Sequence, residues 1–410
     1  MRATRGTLAA LLLVVGSTAL VGENPADAEA NPCSVATIVG TGGDDVLEGT
    51  DGADVIDGGG GDDRILGLGG DDVLCGGEGQ DDLLGGPGAD TMHGGIDAKV
   101  AEDTDYYVYE GDVLAGGADD DVLDPGADPR HAGSVDTISY LHAPAGVTAD
   151  LGAGTVTGEG DDNVASPVAT LVGSAYDDVL KGSGRSETLI GGAGRDRLVG
   201  LGGADLLAGG SWGRGAGDRV GNVLVGGTGR DELHGSDGDD VVRGGPGDDF
   251  VQSEHGRDRS WGGAGNDHFN DVVEPAAGQL IRGGTGRDEL SALSFVDAAG
   301  QDQRHARGRI DLVDGTTRAR LPDVTVTMRT AGIEDVITPP GDLWTVWGTP
   351  GRNDLMAGSE HSPVRLYGLG GDDQLNGSFE DDLLDGGAGR DSGCGWTGHD
   401  RVRSIERLCG

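Results

Sequence analysis

The sequence predicts an all-β fold, a parallel β-solenoid interrupted by two β-rich insertions. Three observations predict it. Nine-residue units run without a gap from Gly40 to His93: GTGGDDVLE, GTDGADVID, GGGGDDRIL, GLGGDDVLC, GGEGQDDLL and GGPGADTMH. Within each unit glycine, aspartate and an apolar residue hold fixed places, G-x-x-G-x-D-x-U-x. The residues after each Asp leave room only for a short strand that points one side chain inward.

Geometry follows from that spacing. Glycines allow the tight turn, and a turn plus strand every nine residues makes one coil of two units. Asp45, Asp63 and Asp81 should then stack along one edge and Asp54, Asp72 and Asp90 along the other. Parallel strands lie about 4.8 Å apart, so stacked carboxylates repel by about 1 kcal/mol per pair in bulk water and about 3–4 kcal/mol at an effective dielectric of 20. A cation between them reverses the sign. Carboxylates and turn carbonyls suit a hard, oxygen-seeking ion with flexible coordination, whereas zinc or copper prefers His and Cys, which are sparse here. Calcium is the best match. One apolar residue per nine buries little area, so ion binding should supply much of the folding free energy, and the calcium-free chain is expected to be largely disordered. Six units give interior gaps Asp45/Asp63, Asp63/Asp81, Asp54/Asp72 and Asp72/Asp90. Asp90 is thereby expected at a column end.

These units resemble the RTX, or haemolysin-type calcium-binding, nonapeptides of bacterial secreted proteins. The resemblance implies a parallel β-roll in which the position-six Asp ligates calcium. It recurs around Asp178, Asp196, Asp205, Asp231, Asp240, Asp249, Asp267, Asp288, Asp373 and Asp391, so that the matches cover about half of the mature chain. Some units depart from the pattern. Asp119 stands for Gly in the unit of Asp121, Ser253 opens the unit of Asp258, and Glu380 replaces the fourth-position Gly in the unit of Asp382. Glu187 and Asn222 replace the Asp itself, and these turns, with those of Asp258 and Asp382, are expected to be weak or empty sites.

Along the chain the elements follow in order. Residues 1–28 pair Arg2 and Arg5 with an apolar stretch from Leu8 to Val21 and end on Ala26-Asp27-Ala28, the form of a secretory signal; Ala28-Glu29-Ala30 is an alternative cleavage site. Residues 29–95 form an N-terminal cap and the first roll block. Residues 96–172 form a β-rich insertion with a degenerate repeat, 173–291 a second block, 292–347 a second insertion, and 348–410 a third block with a C-terminal cap. The insertions resemble each other: each opens on Asp-x-(Ile/Leu)-Ser at Asp136 or Asp288, reaches Ala149-Asp150-Leu151 or Ile310-Asp311-Leu312, and returns through a Gly-Thr turn. Both are expected to widen the coil. Thr325, Val326 and Thr327 favour strand. Trp344 and Trp347 are expected to share one strand face and to pack.

Four cysteines in an exported chain suggest two disulfides, with three possible connectivities. Cys33 with Cys75 and Cys394 with Cys409 is favoured, because the pairs sit at the ends of the array, where a solenoid needs a cap.

The net charge is -43, with 83 Gly and 4% aromatic residues. This acidic excess is site chemistry, and with only Lys99 and Lys181 as lysines no basic stripe exists for nucleic acid. No segment after the signal could span a membrane. Catalytic motifs are weak. The one Gly-x-Ser-x-Gly match, around Ser211, is expected by chance in a glycine-rich chain, and His131, His142, His268, His305 and His361 are scattered. The expected function is calcium binding outside the cell, with a structural or interaction role toward an unidentified extracellular or cell-surface partner and no catalysis. The alternative is a secreted hydrolase or toxin in which the repeats are accessory.

Overall fold

The computed structural model describes residues 32–96, 111–126, 136–165, 167–210, 220–273, 278–295, 306–321 and 325–409. The signal segment, Lys99, His131, His305 and Ser211 with the two residues that complete its motif lie outside them. The chain is a parallel β-roll of two facing sheets joined by glycine-rich turns, with a single 3-10 turn at Pro32–Val35 and no α-helix among the described residues.

Successive units alternate between the sheets. In one, Val46–Glu48, Arg64–Leu66, Asp82–Pro87 and Val113–Ala118 stack in parallel, with Leu47, Ile65, Leu83 and Leu114 in register. In the other, Val55–Gly60, Val73–Glu78, Thr91–Ile96 and Val122–Asp124 stack the same way, aligning Ile56, Leu74, Met92 and Leu123. These position-eight side chains meet between the sheets, and all except the half-buried Leu47 of the first rung are fully buried. Each is worth about 1.5–3 kcal/mol of burial. The ladder therefore runs on past residue 96: Val113–Ala118, Val122–Asp124 and Thr137–Ser139 are regular rungs.

The insertions do not widen the coil. Each folds as an antiparallel meander inserted edge to edge into the same sheet. In the first, β1 (Thr148–Asp150), β2 (Thr155–Thr157) and β3 (Asp161–Val164) pair in sequence, β3 lies parallel to Val122–Asp124, and β1 lies parallel to Val179–Lys181. In the second, β4 (Arg307–Asp311), β5 (Thr316–Arg320) and β6 (Thr325–Ala331) do the same between Leu280–Thr285 and Leu343–Trp347. Short alternating strands with unpaired edges add to an existing sheet rather than enlarging a turn. Among the described residues that sheet holds 21 strands and the facing one 17.

Trp344 and Trp347 lie on opposite faces, as a separation of three requires in a period-two strand. Trp344 is fully buried, while Trp347 faces outward, stacked on Tyr367 at 5.3 Å with the Arg309 guanidinium 4.4 Å from its ring centre. Disulfides join Cys33 to Cys75 and Cys394 to Cys409, with Cα separations of 6.3 and 5.3 Å. Cys33 sits on the 3-10 turn that packs against Val55–Gly60 and Val73–Glu78, closing the N-terminal end.

Candidate metal centre

Position six of each unit ends the turn, so its side chain points back along the roll's edge while its N–H faces the next coil. Each carboxylate uses one oxygen to accept the N–H of the same position one coil earlier. On one edge Asp45 donates to Asp63 Oδ1 (2.8 Å), Asp63 to Asp81 (2.9 Å), Asp81 to Asp112 (2.8 Å) and Asp112 to Asp136 (3.1 Å). On the other, Asp54 donates to Asp72, Asp72 to Asp90 and Asp90 to Asp121, each at 2.8 Å, and Asp121 to Asp162 at 3.1 Å. Both columns continue beyond Asp81 and Asp90, so Asp90 is interior, not a column end. The distant chain segment at Asp112 and Asp121 supplies the next rung.

Past the first meander the two ladders resume. One runs Asp178, Asp196, Asn222, Asp240, Asp258 at 2.6–2.9 Å. The second runs Glu187, Asp205, Asp231, Asp249, Asp267, Asp288 and then Glu334 at 2.9–3.0 Å. In the third block Asn353, Asp373, Asp391 and Glu406 form one ladder, and Val364, Asp382 and Asp400 the other. Every aspartate singled out from the sequence thus lies on a ladder, and Glu187 and Asn222 keep their places in it. Sequence reasoning missed Asp112, Asp136, Asp162 and Asp400 as column members. Asp400 was legible, since GWTGHDRVR obeys the pattern. The other three lack the position-one glycine five residues before the Asp, where Tyr107, His131 and Thr157 stand instead.

A second, exposed ladder runs beside the first. The position-five side chain accepts the next coil's position-five N–H, as in Asp44 from Asp62, Asp62 from Gln80, Asp71 from Ala89 and Asp248 from Asn266.

The second oxygen of the buried carboxylates carries the chemistry. Oδ2 of Asp63, Asp72, Asp81, Asp90, Asp121, Asp205, Asp231, Asp249, Asp267, Asp288, Asp373 and Asp391 is buried without a hydrogen-bond donor. These residues are 0–2% exposed. A buried carboxylate oxygen without a partner costs several kcal/mol unless a proton or cation meets it. Burial, reinforced by neighbouring carboxylates and only partly offset by the backbone donor, pushes Asp81, Asp249, Asp288 and Asp373 up to about 6 and Asp90, Asp205 and Asp267 to about 7. Asp121 and Asp258 reach about 8.

Position-one glycine explains how these oxygens gather. A Cβ on Gly58 would lie 2.3 Å from Asp63 Oδ2 and 2.6 Å from the Gly76 carbonyl oxygen of the next coil. On Gly76 it would meet Asp81 Oδ2 at 2.2 Å and the Gly94 carbonyl at 2.5 Å. Carboxylate and carbonyl oxygens thus converge over a bare Cα. Among the described residues, no three His, Cys, Asp or Glu side chains form a metal cluster by themselves. An ion held here must draw on turn carbonyls as well as single carboxylates, an all-oxygen set that fits calcium better than small, strictly octahedral magnesium.

The family model of the RTX calcium-binding nonapeptide repeat, in four-copy form, matches residues 39–74, 66–98, 181–211, 217–251, 234–269 and 367–402. These segments are RTX calcium-binding nonapeptide repeats. They contain most of the column aspartates, and the two long stretches between them, 99–180 and 270–366, hold the two meanders together with the rungs that flank them. No curated protein matches the chain. Among the described residues no helix is long and apolar enough to cross a membrane.

Proposed function

We propose that this is a secreted RTX-repeat protein whose roll folds as calcium enters the two carboxylate columns, and that it serves outside the cell as a calcium-stiffened structural or interaction element without catalytic activity of its own. One observation carries the reading: a row of buried Oδ2 atoms with no donor, held in register by a backbone ladder. In calcium's absence those oxygens must take protons or return to water, and the thin core gives little to resist the second course. Export before folding fits this chemistry, since calcium is scarce inside cells and abundant outside. The insertions and the acidic position-five row are the surfaces such a rod offers to a partner.

Far-UV circular dichroism of the mature, oxidised protein during a calcium titration tests the reading, with magnesium as control. A cooperative gain of β signal with calcium alone supports it. A spectrum indifferent to calcium overturns it. A hydrolase screen on the calcium-loaded protein tests the absence of catalysis, and turnover abolished by one point substitution would replace this reading with the accessory-domain one.

A further inference from the structure

Two kinds of turn recur along the columns, and position two separates them. Where it is Ser or Thr, the chain itself takes up the second carboxylate oxygen. Thr41 donates N–H and hydroxyl to Asp45 Oδ2 at 2.6 and 2.8 Å, and Thr50 does the same to Asp54 at 2.7 and 2.8 Å. The N–H groups of Ser174, Ser236 and Ser378 reach Oδ2 of Asp178, Asp240 and Asp382 at 2.6, 2.7 and 2.6 Å. Ser183 holds Glu187 through N–H and hydroxyl, and Thr349 holds Asn353 Oδ1 at 2.7 Å.

Where position two is Gly or Leu, the backbone there turns to positive φ, and the carboxylate keeps a bare oxygen. Gly59, Leu68, Gly77 and Gly86 have φ of 99, 79, 120 and 111°, and they belong to the units of Asp63, Asp72, Asp81 and Asp90. Leu201 and Leu369, at 79 and 71°, belong to those of Asp205 and Asp373. A leucine held in the left-handed region is a strained residue, and its recurrence in the same place marks a conformation that the turn imposes. Strands follow the difference in one direction, since none among the described residues runs on through a Gly-Ser or Gly-Thr turn although some also stop at Gly-Gly or Gly-Leu. Those running on through the turn, such as Val55–Gly60, Val73–Glu78 and Val241–Pro246, lead into Gly-Gly, whereas Val46–Glu48, Thr170–Val172 and Glu232–His234 stop at a Gly-Ser or Gly-Thr.

We infer that the Ser/Thr turns are calcium-independent locks and the Gly/Leu turns are the calcium sites, so that each run of coils starts from a turn closed by its own side chains. This rests on the calcium reading above and refines it. The placement supports it: Thr41 and Thr50 close the first coil, Ser174 and Ser183 the first coil after the first meander, and Thr349 the turn that follows Leu343–Trp347, the second strand after the second meander. A solenoid coil gains stability chiefly from a folded neighbour, so a self-closed starting coil removes the hardest step of growth. Glu187 and Asn353 fit the same logic, because a turn that holds no ion does not need an aspartate.

The test uses the full mature chain with its disulfides intact. Hydrogen exchange in chelator should leave the amides of Thr50, Ser174 and Ser236 exchanging roughly tenfold or more slower than those of Gly77, Gly86 and Gly245. Calcium stoichiometry by titration calorimetry should rise in a Thr50→Gly/Ser174→Gly/Ser236→Gly variant. It should stay at the wild-type value with alanine at the same three positions, since alanine keeps the N–H donor and a negative φ. Uniform exchange across both kinds of turn, or an unchanged stoichiometry in the glycine variant, overturns the inference while leaving calcium binding intact. A wild-type chain that takes up no calcium at all overturns the reading beneath it as well.

Discussion

The backbone N–H of Asp90 donates to Oδ1 of Asp121 at 2.8 Å, across 31 residues of sequence, with the same geometry that joins neighbouring coils 18 residues apart. The column is indifferent to how much chain lies between its rungs. Asp63→Ala and Asp90→Ala should therefore do equal damage, each removing one ladder acceptor and one bare oxygen and costing about 1.5–3 kcal/mol of calcium-loaded stability. Asp54→Ala, in a self-closed first coil, should cost less. Calcium midpoints of the three variants by circular dichroism check the order; a much milder Asp90 variant would mean that the Asp121 rung is not in place.

The raised carboxylates set a pH dependence whose sign differs between the two forms. Asp81, Asp90, Asp121 and Asp267 titrate at about 6, 7, 8 and 7 in the folded chain against a usual value of 3.8. Folding without calcium therefore favours the protonated state. The stability this contributes is fully present below about pH 4 and is lost as pH rises through 6 to 8. Calcium needs the ionised carboxylates, so its affinity should climb over the same interval. Chelated protein should therefore keep more β signal at pH 5 than at pH 8, whereas calcium-loaded protein should melt at a higher temperature at pH 8 than at pH 5.

Position-one glycine can be separated from ordinary turn glycine. Gly58→Ala places a methyl group 2.3 Å from Asp63 Oδ2 and 2.6 Å from a carbonyl oxygen, and should cost at least 2 kcal/mol, an order-of-magnitude figure for overpacking. Gly42→Ala meets nothing within 4 Å and should be close to neutral. Denaturant melts of the calcium-loaded variants distinguish them.

The cysteine bridges act on the ends. By loop closure alone, the Cys33–Cys75 link should contribute about 4 kcal/mol and Cys394–Cys409 about 3 kcal/mol. In a solenoid such losses stay local. Replacing Cys33 and Cys75 with serine should speed hydrogen exchange in the first coils and leave the amides between Gly226 and Asn270 unchanged; a global melt instead would show that the whole array depends on its N-terminal cap.

The fold was legible because one residue in each unit could only be turn, another only core. Asp63 and Leu83 declare their places by spacing alone. Asp112 does not, because Gly94, the glycine that its Oδ2 lies over, stands 18 residues away, outside any nine-residue window that includes it. The likeness between the two insertions was visible, but their effect was not: edge pairing of β1 with Val179–Lys181 is a contact between segments whose sequences carry no trace of each other. Position two stood in the open as Gly-Ser, Gly-Thr, Gly-Gly or Gly-Leu. Its meaning needed the φ angle and the fate of one oxygen.

The unequal strand numbers of the two sheets have a mechanical result. At about 4.8 Å per strand, four additional rungs lengthen one face of the roll by about 19 Å relative to the other. The meander strands have no partner rung on the facing sheet, so calcium uptake along the columns would stiffen a roll whose two faces differ in contour length.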